Sequence, residues 1–271
     1  MDLSTIIGLV VGVIAILVGM IMKGVSLDSL FNMAAILIIF FGTAASVIIA
    51  FPMKELKRVP KLFGIIFKEQ KLTSDIEIVK MFSNWADIAR REGLLTLEAQ
   101  TDEIDDLFLK NGLGLAIDGQ SAEYIRDVLT EEVEAMEDRH SVGAQIFSQA
   151  GMYAPTLGVL GAVIGLIAAL KDLNDINVLG AAVSAAFIAT LFGIFTGYVL
   201  WHPFANKLRR KSAEEAKQKM MMIEGILSVL EGESPRVIEQ KLASYLPMEE
   251  RKKLAEGDTT AKGGEAVGEE A

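Results

Sequence analysis

The stretch IFSQAGMYAPTLGVLGAVIGLIAAL, residues 146–170, contains no Asp, Glu, Lys or Arg. A helix needs about 20 apolar residues to cross the hydrocarbon core of a bilayer, and this stretch exceeds that length. Three further stretches have the same character, and they cover residues 4–22, 30–51 and 178–201. Four such uncharged stretches in a chain of 271 residues predict four transmembrane helices rather than the buried helices of a soluble core.

The spacing of the four stretches predicts an all-α integral membrane protein with four transmembrane helices and a helical cytoplasmic domain. Only a few residues separate the first stretch from the second and the third from the fourth, so each pair is expected to form a hairpin. The predicted organisation is a transmembrane hairpin over 1–51, a cytoplasmic helical domain over 52–145, a second transmembrane hairpin over 146–201, cytoplasmic helices over 202–254 and a disordered tail over 255–271.

Local signals predict where the helices of the cytoplasmic domain begin and end. Ser74 and Glu77 form a capping-box pattern ahead of an apolar, helix-periodic run. Gly93 and Gly112 are expected to end two successive helices, because glycine commonly terminates helices. A third helix is expected to begin near Ser121 and to run toward the third membrane stretch.

The distribution of basic residues predicts the orientation in the membrane. The only basic residues in the loops within the two hairpins are Lys23 and Lys171. By the positive-inside rule, both termini and the central domain of this multi-pass membrane protein should be cytoplasmic. The first stretch lacks a basic leader and a cleavage site, so we expect it to be retained. The basic residues that follow the second and fourth stretches are Lys54, Lys57, Arg58, Lys61, Lys68, Lys71, Lys207, Arg209, Arg210, Lys211, Lys217 and Lys219.

The composition excludes several classes of function. A net charge of −10 argues against nucleic acid as a partner, since phosphate binding needs concentrated Lys and Arg. There is no cysteine, and the two histidines, His140 and His202, lack the spacing of metal ligands. The sequence contains no convincing nucleophile–base pair or phosphate-binding loop. We therefore expect no enzymatic activity, no metal and no cofactor.

Small residues recur at four-residue spacing in the third and fourth stretches. Such rows let helix backbones approach closely in a membrane, where lipid provides no hydrophobic drive for association. One hairpin cannot bury both rows, so we expect neighbouring copies or a partner helix to pack there, with packing inside one chain as the alternative. The residues assigned to these contacts are Gly158, Gly161, Gly165, Ala185, Ala189 and Gly193.

The four stretches contain hydroxyl groups and no carboxylate. Proton relays through a bilayer normally use an ionisable group, so the carboxylate of a proton path would have to come from another chain. Thr156 and Thr190 could line such a path, although a lone membrane threonine often bonds to its own helix. Pro155 and Pro203 lie where the membrane helices meet the cytoplasmic domain, either as kinks or as helix boundaries.

Four sequence strings make the chain recognisable. They are ARREGLLTLE at 89–98, YAPTLG at 153–158, ATLFGI at 189–194 and HPFANKL at 202–208. In this order, and with this arrangement of spans, they resemble the flagellar motor stator subunit MotA of the MotA/TolQ/ExbB proton channel family. The resemblance covers about residues 1–250 and is greatest to MotA of Gram-positive rod-shaped bacteria.

The resemblance implies partners and residue roles. MotA-type subunits form a pentamer around the single-span helices of MotB, which supplies a proton-accepting aspartate, and Thr190 matches the family threonine near it. Arg90 and Glu98 match positions that face the rotor protein FliG. Pro155 and Pro203 match the two prolines that couple ion passage to movement of the cytoplasmic domain.

Two further features of the sequence bear on which ion is transported and on a rival function. Sodium-type stators have a threonine where this chain has Ala162, and Na⁺ needs a hard oxygen ligand more than a proton does, so H⁺ is favoured. An energy-transducing subunit of the ExbB or TolQ type would have one span before the cytoplasmic domain, whereas two precede it here. A membrane scaffold that conducts nothing is the other alternative.

Overall fold

The computed structural model describes residues 2–70, 72–101, 104–170 and 176–254. Within these ranges it contains helices and no strand. Four helices are long and apolar enough to cross a membrane. The predicted all-α membrane fold is therefore confirmed. The predicted disordered tail, 255–271, and most of the predicted loop 171–177 lie outside the described residues.

The chain divides into two compact units. Met1–Gln70 and Asp138–Ser212 form the first, which we call the membrane unit because it contains the four uncharged stretches. Lys71–Glu137 and Ala213–Ala271 form the second, which we call the helical unit.

The N-terminal part of the membrane unit contains five helices of very different length. The first apolar stretch is one helix of 20 residues, whereas the second begins with a 3₁₀ turn and is interrupted by a π-helical turn. The elements are α1 (Leu3–Met22), the 3₁₀ turn Leu27–Leu30, α2 (Met33–Ile36), the π-helical turn Leu37–Phe41, α3 (Gly42–Ala50), α4 (Met53–Leu56) and α5 (Val59–Phe67).

The helical unit begins with the helix that the capping box predicts. In α6 (Asp75–Glu92), Ser74 and Glu77 form the box, and the Glu77 carboxylate accepts a hydrogen bond from the Ser74 N–H at 3.3 Å. The helix ends at Gly93, whose φ of 90° is readily adopted only by glycine. Both predictions are confirmed. The chain continues through the 3₁₀ turn Leu94–Leu97, α7 (Glu98–Thr101) and α8 (Leu107–Ile117).

The prediction that Gly112 ends a helix is wrong, because Gly112 lies in the interior of α8. The helix ends at Ile117 instead, just before Gly119 with its φ of 78°. Gly112 is small for a packing reason. A Cβ at this position would lie 2.6 Å from Ile226 Cδ1 and 2.9 Å from Leu129 Cδ1, and both of those side chains are buried.

The third helix begins as predicted, since the Ser121 hydroxyl accepts a hydrogen bond from the Tyr124 N–H at 3.2 Å. It continues without a break through the third membrane stretch as α9 (Ala122–Ala169), with Pro155 in its interior. The fourth stretch forms α10 (Ile176–Phe195) and the π-helical turn Thr196–Trp201, and the chain then continues as α11 (His202–Leu230). Pro155 therefore lies inside a helix, whereas Pro203 is the second residue of α11, at its junction with the π-helical turn.

Each unit has its own core. In the membrane unit, aromatic rings from α5, α9 and the start of α11 pack edge to face, with centroids of Phe63 and Phe147 5.1 Å apart. In the helical unit, α6, α8, α9 and α11 pack with α12 (Pro235–Leu242) around the fully buried Phe82. A 3₁₀ turn and a short helix over 248–254 complete the described chain.

Replacing Gly112 by alanine should destabilise the helical unit. The added methyl group would overpack a buried contact, at a cost of about 1–3 kcal/mol. Gly114→Ala is the matched control, because a Cβ there meets nothing within 4 Å and alanine is favoured over glycine inside a helix by about 0.5–1 kcal/mol. Thermal unfolding of the full chain, followed through the buried Trp85, should give midpoints on opposite sides of the wild-type value. A Gly112→Ala midpoint equal to or above wild type would contradict this packing.

Candidate functional site

The backbones of α9 and α10 touch at two glycines. A Cβ on Gly158 would lie 2.9 Å from the Ala189 carbonyl oxygen and 3.0 Å from Gly193 Cα. A Cβ on Gly193 would lie 2.7 Å from the Ala154 carbonyl oxygen. No side chain fits between atoms this close. The row of small residues that contains Gly158 therefore packs within the chain against Gly193, which is the alternative that the sequence left open.

The second row of small residues has more space. A Cβ on Gly161 would make ordinary contacts, 3.6 Å from Ala189 Cβ and 3.7 Å from Ile38. A Cβ on Gly165 would meet nothing within 4 Å, and Ala185 is half-buried. The surface of α9 is therefore open at Gly165, whereas Gly158 and Gly161 pack against other parts of the chain.

Pro155 lies beside a second close contact between the same helices. Proline has no N–H, so Pro155 removes the donor that the Gly151 carbonyl would have in a regular helix. Gly197 approaches this point so closely that a Cβ on it would lie 2.8 Å from both the Gly151 oxygen and Pro155 Cγ. Gly197 belongs to the π-helical turn Thr196–Trp201, an element that is frequent at functional sites. The Gly151 carbonyl, which lacks its regular helical donor, thus lies against the π-helical turn that contains Gly197.

Pro203 lies two residues after the end of the same π-helical turn. Its missing N–H removes the helical donor for the carbonyl of Val199, which lies within the turn. The preceding residue, His202, places its ring where a side chain on Gly151 would be, at 2.9 Å from the Cβ position. The two prolines that the sequence singles out are therefore linked through contacts of Gly151, which touches both the turn and His202.

The hydroxyls predicted for an ion path bond to their own helices. Thr190 Oγ1 donates to the Ala186 carbonyl at 3.2 Å, and Thr156 Oγ1 donates to the Tyr153 carbonyl at 2.8 Å. A hydroxyl has one proton to donate and two lone pairs, so each threonine remains able to accept a hydrogen bond. Thr190 and Ala162 are half-buried, whereas Thr156 is exposed. The hydroxyl groups of Thr190 and Thr156 are therefore available as hydrogen-bond acceptors.

The two residues predicted to face a rotor are both exposed. Arg90 lies in the last turn of α6, and Glu98 is the first residue of α7 after the bend at Gly93. Neither forms an ion pair with another described residue, whereas the adjacent Arg91 pairs with Asp87 at 3.0 Å. Their charges are thus open to a partner.

A charged cluster joins α1, α5 and α11 at Asp2. The Asp2 carboxylate lies 2.7 Å from Lys207 Nζ and 3.5 Å from Lys211 Nζ, and its backbone N–H donates to the Phe67 carbonyl at 2.9 Å. It also caps α1, accepting from the Thr5 N–H. Lys211 is only 8% exposed and donates to two carbonyls at the end of α5. We call this group the N-terminal clasp.

The clasp holds the Asp2 carboxylate in its charged form. The hydrogen bond from Lys207, followed by that from Ser4, lowers the pKa of Asp2 well below its ordinary range, against a burial effect that would raise it. A carboxylate with a depressed pKa stabilises the folded state above its unfolded pKa of about 3.9 and loses that contribution as pH falls through the folded pKa. The contribution is therefore constant across neutral pH.

Several of these residues were missed in reading the sequence. Gly151 lies four residues before Pro155, so the rule that proline frees the i−4 carbonyl could have identified it. Asp2 directly precedes an uncharged stretch, which is a capping signal. Lys211 could not be distinguished from its basic neighbours by pattern alone. Within the described residues, no group of His, Cys, Asp and Glu is placed to hold a metal ion.

Comparison with known proteins identifies the family. A sequence model of the MotA/TolQ/ExbB proton channel family matches residues 100–221, and a model of the motility protein A N-terminal region matches residues 6–93. Motility protein A of Bacillus subtilis (strain 168) is 62% identical over 271 residues, which is 100% of each chain. The chain belongs to the MotA/TolQ/ExbB proton channel family. This confirms the resemblance inferred from the four strings.

Solved structures of family members have the same fold. The flagellar MotAB stator complex from Bacillus subtilis contains a chain that matches with a TM-score of 0.88 at 64% identity, covering 92% of this chain and 98% of that chain. A chain of C. jejuni MotAB matches with a TM-score of 0.87 at 35% identity, covering 92% of this chain and 97% of that chain. The similarity therefore extends over nearly the whole described fold.

Alanine at Gly158 should destabilise the membrane unit. The neighbouring atoms are backbone, so they cannot move aside as a flexible side chain could, and a cost of about 1–3 kcal/mol is expected. Gly165→Ala is the matched control in the same helix, where a Cβ has free space. The thermal midpoint of the purified full chain in mild detergent should fall for Gly158→Ala and stay at or above the wild-type value for Gly165→Ala. Equal midpoints for the two variants would disprove the close contact.

Asp2→Asn should loosen the clasp and leave the cap in place, because asparagine caps helices about as well as aspartate. Loss of hydrogen bonds to a charged group should cost about 1.5–3 kcal/mol. The thermal midpoint of Asp2→Asn should lie below that of wild type, by the same difference at pH 6 and at pH 8. This difference should shrink only below about pH 4, where the Asp2 carboxylate begins to lose its stabilising contribution. Asp28→Asn, at an exposed carboxylate, is the control. A difference that changes between pH 6 and pH 8 would contradict the depressed pKa.

Proposed function

We propose that this chain is the ion-conducting stator subunit of a bacterial flagellar motor, which couples proton flow to torque on the rotor. Full-length similarity to motility protein A and four membrane-crossing helices support it. The observation that carries the mechanism is that the four uncharged stretches contain no carboxylate. A proton path needs an ionisable group, so the chain would conduct only in a complex. This role makes it a channel subunit and not an enzyme.

The partner that would supply the carboxylate is a MotB-like subunit with a single span. Both solved relatives are described as MotAB complexes, which supports this class of partner. The open side of α9 at Gly165 offers space for a partner helix or a neighbouring copy. We further propose a closed homo-oligomer, a pentamer, around the partner helices. Thr190, with free lone pairs, would accept a hydrogen bond beside the partner's aspartate.

The proposed location is the bacterial inner membrane, with both termini in the cytoplasm. Four apolar helices and family membership support a multi-pass membrane protein. The orientation rests on the basic residues, which follow the second and fourth spans and are almost absent from the hairpin loops.

Pro155 and Pro203 are proposed to convert ion binding into movement. Each leaves a carbonyl without its helical donor, and the π-helical turn lies between Gly193 and Pro203. A helix bends most readily where its hydrogen-bond ladder is interrupted. The close contacts of Gly151 and Gly197 would transmit a change at one proline to the other.

Arg90 and Glu98 are proposed to act on the rotor protein FliG. Their support is the family match and the exposure of both side chains without an ion-pair partner among the described residues. Charged groups that pair across an interface chiefly determine specificity and the rate of encounter.

The proposed ion is the proton. Ala162 provides no oxygen ligand, and Na⁺ prefers hard oxygen ligands. An ExbB or TolQ type of subunit is less well supported, because two spans precede the central helices and a relative that matches over its full length is a motility protein. A scaffold that conducts nothing differs from our proposal in one measurable property, which is ion flux in the presence of the partner.

Thr190→Val should lower proton flux and swimming speed without preventing assembly. Valine has nearly the shape of threonine and lacks the hydroxyl, so it removes the proposed hydrogen bond to the partner. Thr190→Ser keeps the hydroxyl and is the matched control. Proton flux should be measured in cells that co-produce the MotB-like partner, with membrane levels of both proteins checked. Equal flux in the valine and serine variants would remove Thr190 from the ion path.

Charge reversal at Arg90 or Glu98 should impair rotation and leave membrane assembly intact. Exposed charges contribute only about 0–1 kcal/mol to stability, so Arg90→Glu and Glu98→Lys should fold normally. Arg91→Glu is the control, since Arg91 is also exposed and already pairs with Asp87. Rotation of tethered cells should fail or slow in the first two variants and not in the third. Normal rotation in each single variant and in the double variant would exclude a torque role.

A further inference from the structure

A cleft of about 370 Å³ lies beside the N-terminal clasp, between the start of α1 and the region around Pro203. Most of its wall is apolar and is formed by Gly8, Leu9, Val199 and Phe204, while Ser4 and Lys207 line its polar end. The cleft therefore combines a cationic end with an apolar wall, at the N-terminal end of α1 where Lys207 and Lys211 meet Asp2.

The polar end retains one unused hydrogen-bond donor. A lysine ammonium has three donors. Those of Lys211 are directed at Asp2 and at the carbonyls of Ile65 and Lys68. Lys207 contacts only Asp2, at 2.7 Å, and the Ser4 hydroxyl, at 2.9 Å, among the described residues, and its side chain is 27% exposed. Lys207 can thus donate to one further acceptor in the cleft.

The charge at this end favours an anionic acceptor. Asp2 carries one negative charge and the two lysines carry two positive charges, so the clasp has an excess of one positive charge. The depressed pKa of Asp2 keeps this balance constant across neutral pH. The exposed Arg209 and Arg210 follow Lys207 within one turn of α11 and add to the positive potential.

The apolar wall has room for a hydrocarbon chain. A Cβ on Gly8 would meet nothing within 4 Å, so the surface of α1 is open at this point. One turn further on, a Cβ on Gly12 would lie 2.8 Å from Val199 Cγ1, so α1 and the π-helical turn close together there. A ligand that enters from the polar end would therefore lie along Gly8 and Leu9.

We propose that the cleft is a binding site for an anionic phospholipid of the membrane leaflet on the clasp side. Its phosphate accepts the third hydrogen bond of Lys207, and an acyl chain lies against Gly8 and Leu9. A free phosphate ion would satisfy Lys207 and leave the apolar wall empty, and a zwitterionic lipid would not neutralise the excess charge. Pro203 also lines the cleft, so the lipid would contact one of the two prolines assigned above to coupling.

The test compares lipid retention by two glycine variants of the full chain. Gly8→Leu fills the open wall, and Gly19→Leu is its control, because both positions lie in α1 and have free space for a side chain. The proteins are purified from nanodiscs that contain equal amounts of phosphatidylglycerol and phosphatidylcholine, and retained lipids are counted by native mass spectrometry. Wild type and Gly19→Leu should retain phosphatidylglycerol preferentially, and Gly8→Leu should lose that preference.

A second pair of variants tests the headgroup contact. Lys207→Gln removes the charge and should lower retained phosphatidylglycerol about tenfold, as expected for the loss of a hydrogen bond to a charged group, whereas Lys207→Arg should preserve it. Equal retention of the two lipids by wild type would mean ordinary bilayer solvation and would overturn the proposal. So would equal phosphatidylglycerol retention by Gly8→Leu and Gly19→Leu. A change of oligomer size in Gly8→Leu at unchanged lipid retention would assign the cleft to a second copy of the chain.

Discussion

The backbone contact between Gly158 and Gly193 determines how closely α9 and α10 can approach. Each glycine lies against backbone atoms of the other helix, so the distance between the helices is fixed by main chain and not by adjustable side chains. The same close approach brings Gly197 against Pro155, where α9 lacks a hydrogen bond. A bulkier residue at Gly158 or Gly193 would separate α9 from α10. It would thereby also disturb the contacts around Pro155.

A second constraint is the segregation of charge. The spans contain no Asp, Glu, Lys or Arg. The N-terminal end of α1, in contrast, carries the N-terminal clasp, in which Asp2 meets Lys207 and Lys211. This arrangement lowers the cost of placing the chain in a bilayer, because a charge at the membrane centre is expensive. It also means that the proposed proton path depends on a carboxylate from a partner, which the hydroxyl of Thr190 can only assist.

Local patterns were sufficient to predict much of the fold. Uncharged length identified the spans, and the signals at Ser74 and Gly93 identified the ends of α6, because each depends on neighbours in sequence. Contacts between distant segments were not predictable. Gly112 resembled a helix stop, yet it is small because Ile226 packs against it. The clasp joins residues about 200 positions apart, and the π-helical turns have no established sequence signal. The rotor residues and the place of Thr190 beside a partner's aspartate came from family resemblance, and their roles remain predictions.

The most direct test of the account is proton flux through the purified chain in liposomes, with and without a co-reconstituted MotB-like partner. The chain alone should conduct no protons above the level of empty liposomes. Addition of the partner should create flux driven by a proton gradient and not by a sodium gradient, and replacing the partner's membrane aspartate by asparagine should abolish it. Proton flux through the chain alone would contradict the requirement for a partner carboxylate, and flux driven by sodium would contradict the assignment based on Ala162.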